Sequence, residues 1–354
     1  MREQISFSSI EYTGKKKLTR QEIFLSEMER VVPFEMMIEK IKPYYAVKGK
    51  GRPPIELEVM LRMYLVSQWY NLSDELCEDN IYNNIAIRSF VGIDLTKANA
   101  PDAKTLCRFR LLLEEYSLTQ SIFDGITQQL RQQGLLLNAG TIVDATIIHA
   151  PSTTHNKDNR RDPEMSSTKK NKNYHFGCKA HIGVDKDSGF VHSVVVTTAK
   201  TADIDTATQL LHGQEQSIHG DSAYIGLEKR QDMMDMFGSQ TIPQPKVHNK
   251  GKHPKDKVVL SDKVQIITSR KRKAIKSLPD SQQKTELQNI EKQKSKVRCI
   301  VEYPFRIIKC IFGFRKTNYK GLAKTESKVY MLFALTNLYF VMQKNKKSNQ
   351  LITL

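Results

Sequence analysis

Two carboxylates interrupt apolar stretches of the sequence, where packing alone does not explain a charged side chain. Asp144 lies inside the run TIVDATIIH, and Asp221 ends the short run SIHGD. Burying a carboxylate in an apolar strand is costly unless the group is paired or bound to a cation. If the two strands are neighbours, the acids converge and a divalent cation supplies the counter-charge. Oxygen ligands of this kind favour Mg²⁺ or Mn²⁺ over zinc.

A third acid is expected from a helix, and Glu302 in RCIVEYPFRIIKCIFGFRK is the best candidate. On a continuous helix, Arg298 and Lys309 share a face with this glutamate and could contact phosphate. Pro304 complicates the expectation, because an interior proline kinks or ends a helix.

Each acid also has an ordinary explanation. Asp144 could be a capping or salt-bridged residue, and Asp221 could begin the turn DSAY. Glu302 could pair with Arg298 on the surface. The order along the chain, two acids on strands and one on a helix, favours a shared site. Such a site predicts two Mg²⁺ ions about 3.5 to 4 Å apart that promote in-line attack by water or another hydroxyl group at phosphorus. A nucleophilic Tyr224 is the rival mechanism, but it has no use for three converging acids.

The charge of the chain indicates a class of partner. The net charge is +17, and a surplus of this size predicts a polyanion such as nucleic acid. Residues 240–297 contain 15 basic and 5 acidic side chains, and residues 298–354 contain 11 and 2. Residues 1–239 are nearly neutral. The C-terminal third is therefore expected to contact phosphate.

Within that third, the segment FRKTNYKGLAK combines cations with an aromatic ring, which suits backbone contact or base stacking. Its candidate DNA-contacting residues are Arg315, Lys316, Tyr319 and Lys320. Three lysines of the polar stretch 152–173 either contact DNA or are simply solvated, namely Lys169, Lys170 and Lys172. His219 could touch the reacting DNA, although a structural role is favoured.

Several classes of protein are disfavoured. The N-terminal residues lack the apolar core of a signal peptide, and no run approaches about 18 apolar residues. The five cysteines show no metal-finger spacing. We therefore expect a reduced cytoplasmic protein with no membrane partner. The longest apolar run, VYMLFALTNLYFVM, predicts a buried helix.

The elements that must position the acids fall into two regions. The first is helical in pattern: IELEVMLRMYLVSQWYN has helical spacing, and Ser73 and Asp102 are candidate N-caps. Whether these helices form a DNA-reading helix-turn-helix unit or only a core stays open. From Gly140 the pattern changes to strands: GTIVDATIIHA, then two strands joined by a turn in KAHIGVDKDSGFVHSVVVTTA, and later SIHGD. A helix is expected at ADIDTATQLLHGQ and a loop at 152–173. This order predicts an α/β protein with a mixed sheet.

Several segments also carry a resemblance to a known family. Those of the second region are GTIVDATIIHAPS, RDPEM, FGCKAHIGVDKDSGFVHSVV, IHGDSAYIGLEKR and VEYPFRIIKCIFGFRKTNYKGLAK, and those of the first are GRPP, LVSQWYNLSDELCED and PDAKTLCRFR. Together they resemble bacterial insertion-sequence transposases with a DDE triad, specifically the insertion-sequence-five family. The match covers nearly the whole chain.

The resemblance implies an RNase H-like catalytic core preceded by an α-helical N-terminal domain. Asp144 would lie on the first strand, Asp221 after the fourth strand and Glu302 on a later helix, with all three as catalytic metal ligands. Arg298 and Lys309 would match the family's basic positions, and a proline after the glutamate is part of its pattern. The implied domains are a helical domain at 1–135 that could bind DNA ends, a catalytic domain at 136–342 with a basic insertion at about 240–297, and a basic tail at 343–354.

The implied activity is metal-dependent cleavage and strand transfer at the terminal inverted repeats of an insertion sequence. The partners would be double-stranded DNA of the transposon ends and of the target, with the protein on the bacterial nucleoid when bound. A homodimer on DNA is expected, because two ends must be held together. Two other functions stay open: a non-catalytic sequence-specific DNA-binding protein, and an RNase H-like nuclease without strand transfer.

Overall fold

The computed structural model describes residues 16–45, 53–155, 157, 159–170, 172–242, 257–270, 274–275, 277–279, 281–348 and 352–354. The chain divides into two compact units. The first comprises Met1–Ser67, Leu72–Leu112 and Leu338–Leu354, and the second comprises Gln68–Asn71 and Leu113–Asn337. The functional domain boundaries expected from the sequence stay predictions, because compactness alone does not define them.

The first unit is built from helices and includes the C-terminal segment. The helices that contribute to it from the N-terminal third are α1 (Arg20–Val31), α2 (Phe34–Ile41), α3 (Leu57–Trp69), α4 (Asp74–Asn83), α5 (Ile85–Val91) and α6 (Ala103–Glu115). Ser73 Oγ accepts a hydrogen bond from the Leu76 N–H at 3.2 Å, and Asp102 Oδ1 accepts one from Thr105 at 2.6 Å. Both predicted N-caps are therefore confirmed. The C-terminal segment joins this unit through a salt bridge of 2.7 Å between Lys346 Nζ and Glu27 Oε2.

The second unit contains the helix α7 (Leu118–Gln132) and a mixed sheet. Its strands are β1 (Gly140–His149), β2 (Ser166–Lys170), β3 (Asn173–Asp185), β4 (Val191–Thr198), β5 (Ser217–Gly220) and β8 (Gln265–Thr268), and a separate antiparallel pair consists of β6 (Ser239–Ile242) and β7 (Lys257–Leu260). The order is β2-β3-β1-β5-β8, and β4 pairs with β3. Strands β1 to β4 pair antiparallel, whereas β1, β5 and β8 run parallel. The prediction of an α/β protein with a mixed sheet is confirmed.

The strands β1 and β5 lie in the interior of the unit, because the successive residues Ile142 and Val143 of β1 and Ile218 of β5 have almost no exposed surface. On one face, Val143 and Ile218 pack with Leu210, Tyr224 and Leu227 in a buried apolar cluster. This side is formed by short helices: 3₁₀ turns at Asp203–Thr206, Thr208–Leu210, Ser222–Tyr224 and Leu227–Lys229, and α8 (Gln231–Phe237).

The long helix α11 (Leu322–Ser348) also contacts the sheet. The Tyr330 hydroxyl donates to Val194 O at 3.0 Å, and Asn337 bonds both the N–H and the C=O of Val191 at 2.9 and 2.8 Å. The prediction of a buried helix at this position is confirmed, since most of Val329–Met342 is buried. Among the helices of the described residues, none has the length and apolar character needed to cross a bilayer.

Three local predictions differ from the structure. The expected loop at 152–173 contains β2, an edge strand paired with β3. The expected helix at ADIDTATQLLHGQ is instead two short 3₁₀ turns. Within the expected basic insertion, β8 is a strand of the main sheet, so this part belongs to the core. The segment 243–256 of that predicted insertion lies outside the described residues.

Candidate active site

Asp144 lies on the central strand β1, flanked by antiparallel β3 and parallel β5. Its Oδ1 accepts a hydrogen bond from the N–H of Ala145 at 2.8 Å, which fixes the direction of the carboxyl group. The residue is partly exposed, but its carboxyl group is largely shielded by protein. The pKa of Asp144 is raised from 3.8 to about 7, chiefly by this burial. The negative charges of Asp221 and Glu302 contribute to the increase, while the hydrogen bond from Ala145 and the charge of Arg298 oppose it.

Asp221 follows β5 directly, at the edge of the sheet where β5 runs parallel to β1. The register pairs Ile142 of β1 with His219 of β5. Each acid lies two residues after its member of that pair, so Asp144 and Asp221 occupy corresponding positions on neighbouring strands. Parallel strands bring their carboxyl ends to one edge, which is where ligands commonly bind. Asp221 Oδ1 also accepts a hydrogen bond from Ala223 at 2.7 Å, so the acid caps the following 3₁₀ turn. The capping role expected as the ordinary explanation of Asp221 is therefore present, and its role as a metal ligand stays a prediction.

The tyrosine of the HGDSAYIG segment is buried beneath the acids. Tyr224 has no exposed surface, and burial followed by the charges of Asp144, Asp203 and Asp221 raises its pKa. A Cβ at Gly220 would lie 3.0 Å from the Tyr224 ring, so the glycine before Asp221 allows the ring to pack closely against the strand. A phenol so hard to ionise is unsuited to nucleophilic attack, which disfavours the rival tyrosine mechanism.

Glu302 begins a short helix, α10 (Glu302–Arg306), and is exposed. The expected helix keeps a helical backbone but changes its hydrogen-bond pattern along its length. The helix α9 (Gln282–Arg298) is followed by a 3₁₀ turn, then by α10, and then by a π-helical turn at Ile307–Ile311. Pro304 contributes to this change, because it has no N–H to donate to the preceding turn. Glu302 and Lys309 nevertheless line one pocket of about 470 Å³ together with Thr146 of β1.

The two cations expected beside the glutamate both act on the acids. Arg298 lowers the pKa of Asp144, and its buried Nε has no hydrogen-bond partner among the described residues. Lys309 Nζ donates to Thr146 Oγ1 at 2.5 Å and to Ile147 O at 2.9 Å. Arg298 therefore acts on Asp144, and the charge of Glu302 acts on Lys309, although the helix changes type between the two cations.

The predicted basic and aromatic patch splits into two parts. Arg315 and Lys316 lie beside the end of β1, where the N–H of His149 donates to Arg315 O at 3.2 Å and Lys316 forms an isolated bridge with His149. Tyr319 lies farther along the chain, with the Lys328 ammonium 5.4 Å from its ring centre. Lys320 lines a different pocket of about 490 Å³ with Arg160 and Arg161. The structure therefore places only the first part beside β1.

Three histidines of the second unit have different surroundings. His219 is nearly buried, and its pKa is lowered by burial and by Lys186, while Asp187 opposes this. Those two charged residues follow β3 at the turn into β4. Contact of His219 with the reacting DNA stays a prediction. Sequence reasoning missed the pairing of His149 with His175, whose rings are 5.1 Å apart. The sequence feature that could have indicated this pairing is the histidine at the end of the apolar run of β1.

The three acids can supply the oxygen ligands that Mg²⁺ and Mn²⁺ prefer. They share one electrostatic environment, since Asp221 and Glu302 both act on Asp144. Among the residues that the structure describes, no group of three or more His, Cys, Asp or Glu side chains is assembled closely enough to hold an ion. The structure therefore brings the acids near one another without forming a closed coordination shell.

Comparison with known families agrees with this geometry. The model of the transposase DDE domain matches residues 137–338, which include β1, β5, Glu302 and most of α11. This chain belongs to the DDE transposase domain family. A second model, the transposase domain DUF772, matches residues 13–111. The mixed sheet is consistent with the RNase H-like fold that the sequence led us to expect.

One solved structure is similar over most of the chain. It is the piggyBac transposase synaptic complex with hairpin DNA, determined by cryo-electron microscopy. The similarity has a TM-score of 0.45 and 11% sequence identity, and it covers 92% of this chain and 74% of that one.

Proposed function

We propose that the protein is a transposase of the insertion-sequence-five family that binds the terminal inverted repeats of its own element, cleaves DNA there and joins the ends to target DNA. The observation that carries this proposal is the position of Asp144 and Asp221 on neighbouring strands, with Glu302 within electrostatic reach. Membership of the DDE family supports it. A bacterial origin and a homodimer on DNA belong to the same proposal.

The residues fit a divalent cation. The negative charges of Asp221 and Glu302 both raise the pKa of Asp144, so the three carboxyl groups share one electrostatic environment that a cation would stabilise. We infer that Asp144, Asp221 and Glu302 would hold two Mg²⁺ or Mn²⁺ ions. When bound, such ions activate the attacking hydroxyl and stabilise the leaving oxygen in phosphoryl transfer.

The protein groups around this site have separate tasks in the proposed reaction. The backbone bonds from Ala145 and Ala223 orient the two aspartates toward the site. Lys309 is fixed by its two bonds to β1, and Arg298 lies near Asp144, so both can contact a DNA phosphate. Charge-assisted bonds of this kind position the strand for in-line attack.

The test uses DNA that flanks the reading frame in its source genome. Purified protein is incubated with Mg²⁺ and a labelled duplex of this sequence, and cleavage is followed on denaturing gels. We expect Asp144→Asn, Asp221→Asn and Glu302→Gln each to reduce cleavage by about a hundredfold or more, with DNA binding retained. Asp187→Asn, an exposed acid away from the site, is the matched control. Cleavage that survives all three substitutions would refute the proposal.

A second assay separates the alternative functions. A pre-cut end with a free 3′-hydroxyl is offered together with a target duplex. Joining of the two supports a transposase, whereas cleavage without joining indicates a nuclease. Binding without either reaction indicates a DNA-binding protein that does not catalyse.

A further inference from the structure

Basic side chains from four parts of the second unit converge at the end of β1, beside the acids. The rings of His149 and His175 are 5.1 Å apart. Lys316 is paired with His149 through the isolated β-bridge, and the N–H of Thr317 donates to His149 O at 2.8 Å. Lys309 is held from the other side by its two bonds to β1. We refer to His149, His175, Lys309 and Lys316 as the β1-end cluster.

The charges of this cluster are not balanced by acids. Burial lowers the pKa of His149, and the positive charges of His175, Lys309 and Lys316 lower it further. The pKa of Lys309 is also lowered, first by burial and next by Lys170 of β2, while Glu302 opposes this. Among the described residues, no carboxylate forms a salt bridge with any member of the cluster.

A structural role explains the cluster poorly. His149 and Lys316 are exposed, so burial does not force them together, and like charges placed side by side cost free energy. An anion placed among them would remove that cost. The donors available are imidazole and ammonium N–H groups, which form charge-assisted bonds to phosphate oxygens.

We propose that the β1-end cluster is a binding site for a backbone phosphodiester of DNA, next to the position of the acids, and that protonation of His149 tightens DNA binding. This inference rests on the proposed function for the identity of the ligand. The groups that face His149 are His175 from β3, Lys309 from the π-helical turn and Lys316 from the following loop. A bound phosphate favours the charged imidazole, so DNA affinity rises as pH falls through the histidine range.

The test measures DNA binding without cleavage. Fluorescence anisotropy of a labelled duplex of about 30 base pairs and arbitrary sequence is recorded with EDTA at pH 6 and pH 8, over a series of salt concentrations. We expect the wild-type protein to bind several-fold more tightly at pH 6. The double variant His149→Gln, His175→Gln should lose that gain, and its salt dependence at pH 6 should fall by about one phosphate contact.

Two further variants control for folding and for general charge. Lys316→Gln alters an exposed side chain and should reduce the salt dependence at both pH values. Lys229→Gln, an exposed lysine in the 3₁₀ turn Leu227–Lys229, should leave it unchanged. A double variant or Lys316→Gln protein that keeps the wild-type pH and salt dependence overturns the inference. Wild-type protein that does not bind the duplex at pH 6 overturns it as well.

The outcome is separable from that of the proposed function. If Asp144→Asn loses cleavage but the double histidine variant binds DNA as the wild type does, only the phosphate-site proposal is refuted. If the wild type shows pH-dependent binding that the double histidine variant loses, but no cleavage in Mg²⁺, the phosphate site is supported and the proposed transposase activity is refuted.

Discussion

The substitution Asp144→Asn should stabilise the metal-free protein at alkaline pH. The folded state raises the pKa of Asp144 from 3.8 to about 7. Between pH 3.8 and pH 7 the carboxyl group is protonated in the folded state and ionised in the unfolded state. The stability that comes from this bound proton is therefore fully present below about pH 4 and is lost as pH rises through 7. Asparagine has no charge to bury, and its Oδ1 can still accept the bond from Ala145.

The pKa difference sets the size of the effect. At about 1.4 kcal/mol for each pKa unit, ionising Asp144 in the folded protein costs about 4 kcal/mol. Because the residue is partly exposed, solvent screening reduces this cost, and we expect a gain of about 2 to 4 kcal/mol for the variant at pH 8. In a unit of this size, that corresponds to an increase in Tm of roughly 5 to 15 °C.

The assay is thermal unfolding in EDTA at several pH values, with the exposed Asp187→Asn as control. The difference between variant and wild type should vanish near pH 4. It should also shrink when Mg²⁺ is added, because an ion that binds only the folded wild type stabilises it by mass action. An asparagine variant that melts at or below the wild-type temperature at pH 8 would refute the electrostatic reasoning.

Three other predictions concern the same unit. Burial lowers the pKa of His192 to about 3, so the free energy of unfolding should fall as pH drops below about 6.5. In urea titrations, His192→Gln should remove about 2 kcal/mol of the fall between pH 7 and pH 5. A variant whose free energy of unfolding falls as much as that of the wild type would contradict this. In Gly177→Ala the new Cβ would lie 2.0 Å from Ile148 O, and we expect the free energy of unfolding to fall by about 3 kcal/mol or more. The control Gly134→Ala, where a Cβ meets nothing within 4 Å, should lose much less. Equal stabilities of the two variants would disprove the clash. Thr146→Val removes one acceptor of Lys309 and should slow DNA cleavage about fivefold with little change in Tm, whereas a large fall in Tm would indicate a packing role instead.

The sequence predicted those parts of the fold in which one face of an element is strongly apolar. The strand around Asp144, the hairpin that follows it and the buried part of α11 all have this property, and all are present. The capping residues Ser73 and Asp102 were also predictable, because capping depends on local chemistry.

The missed elements lack that signal. The strand β2 has the sequence SSTKK at the edge of the sheet, without a buried residue, so no alternation could reveal it. The strand β8 contains four residues, and its place in the sheet comes from pairing with β5, which is distant in sequence. At Asp203–Thr206 and Thr208–Leu210 the apolar spacing suited a helix, but the chain forms separate turns.

For the candidate site, residue types were predictable and their arrangement was not. A carboxylate in an apolar strand identified Asp144, yet the approach of Arg298 depends on three successive changes of helix type around Pro304. The pairing of His149 with His175 depends on β3 continuing beyond β1, which no local pattern records.

The salt bridge between Lys346 and Glu27 has a consequence for synthesis of the protein. The segment Leu338–Leu354 is part of the same compact unit as the first helices. That unit cannot be completed until the ribosome has translated this segment. A nonsense mutation after codon 337 would spare every proposed catalytic acid and still remove a piece of the N-terminal helical unit.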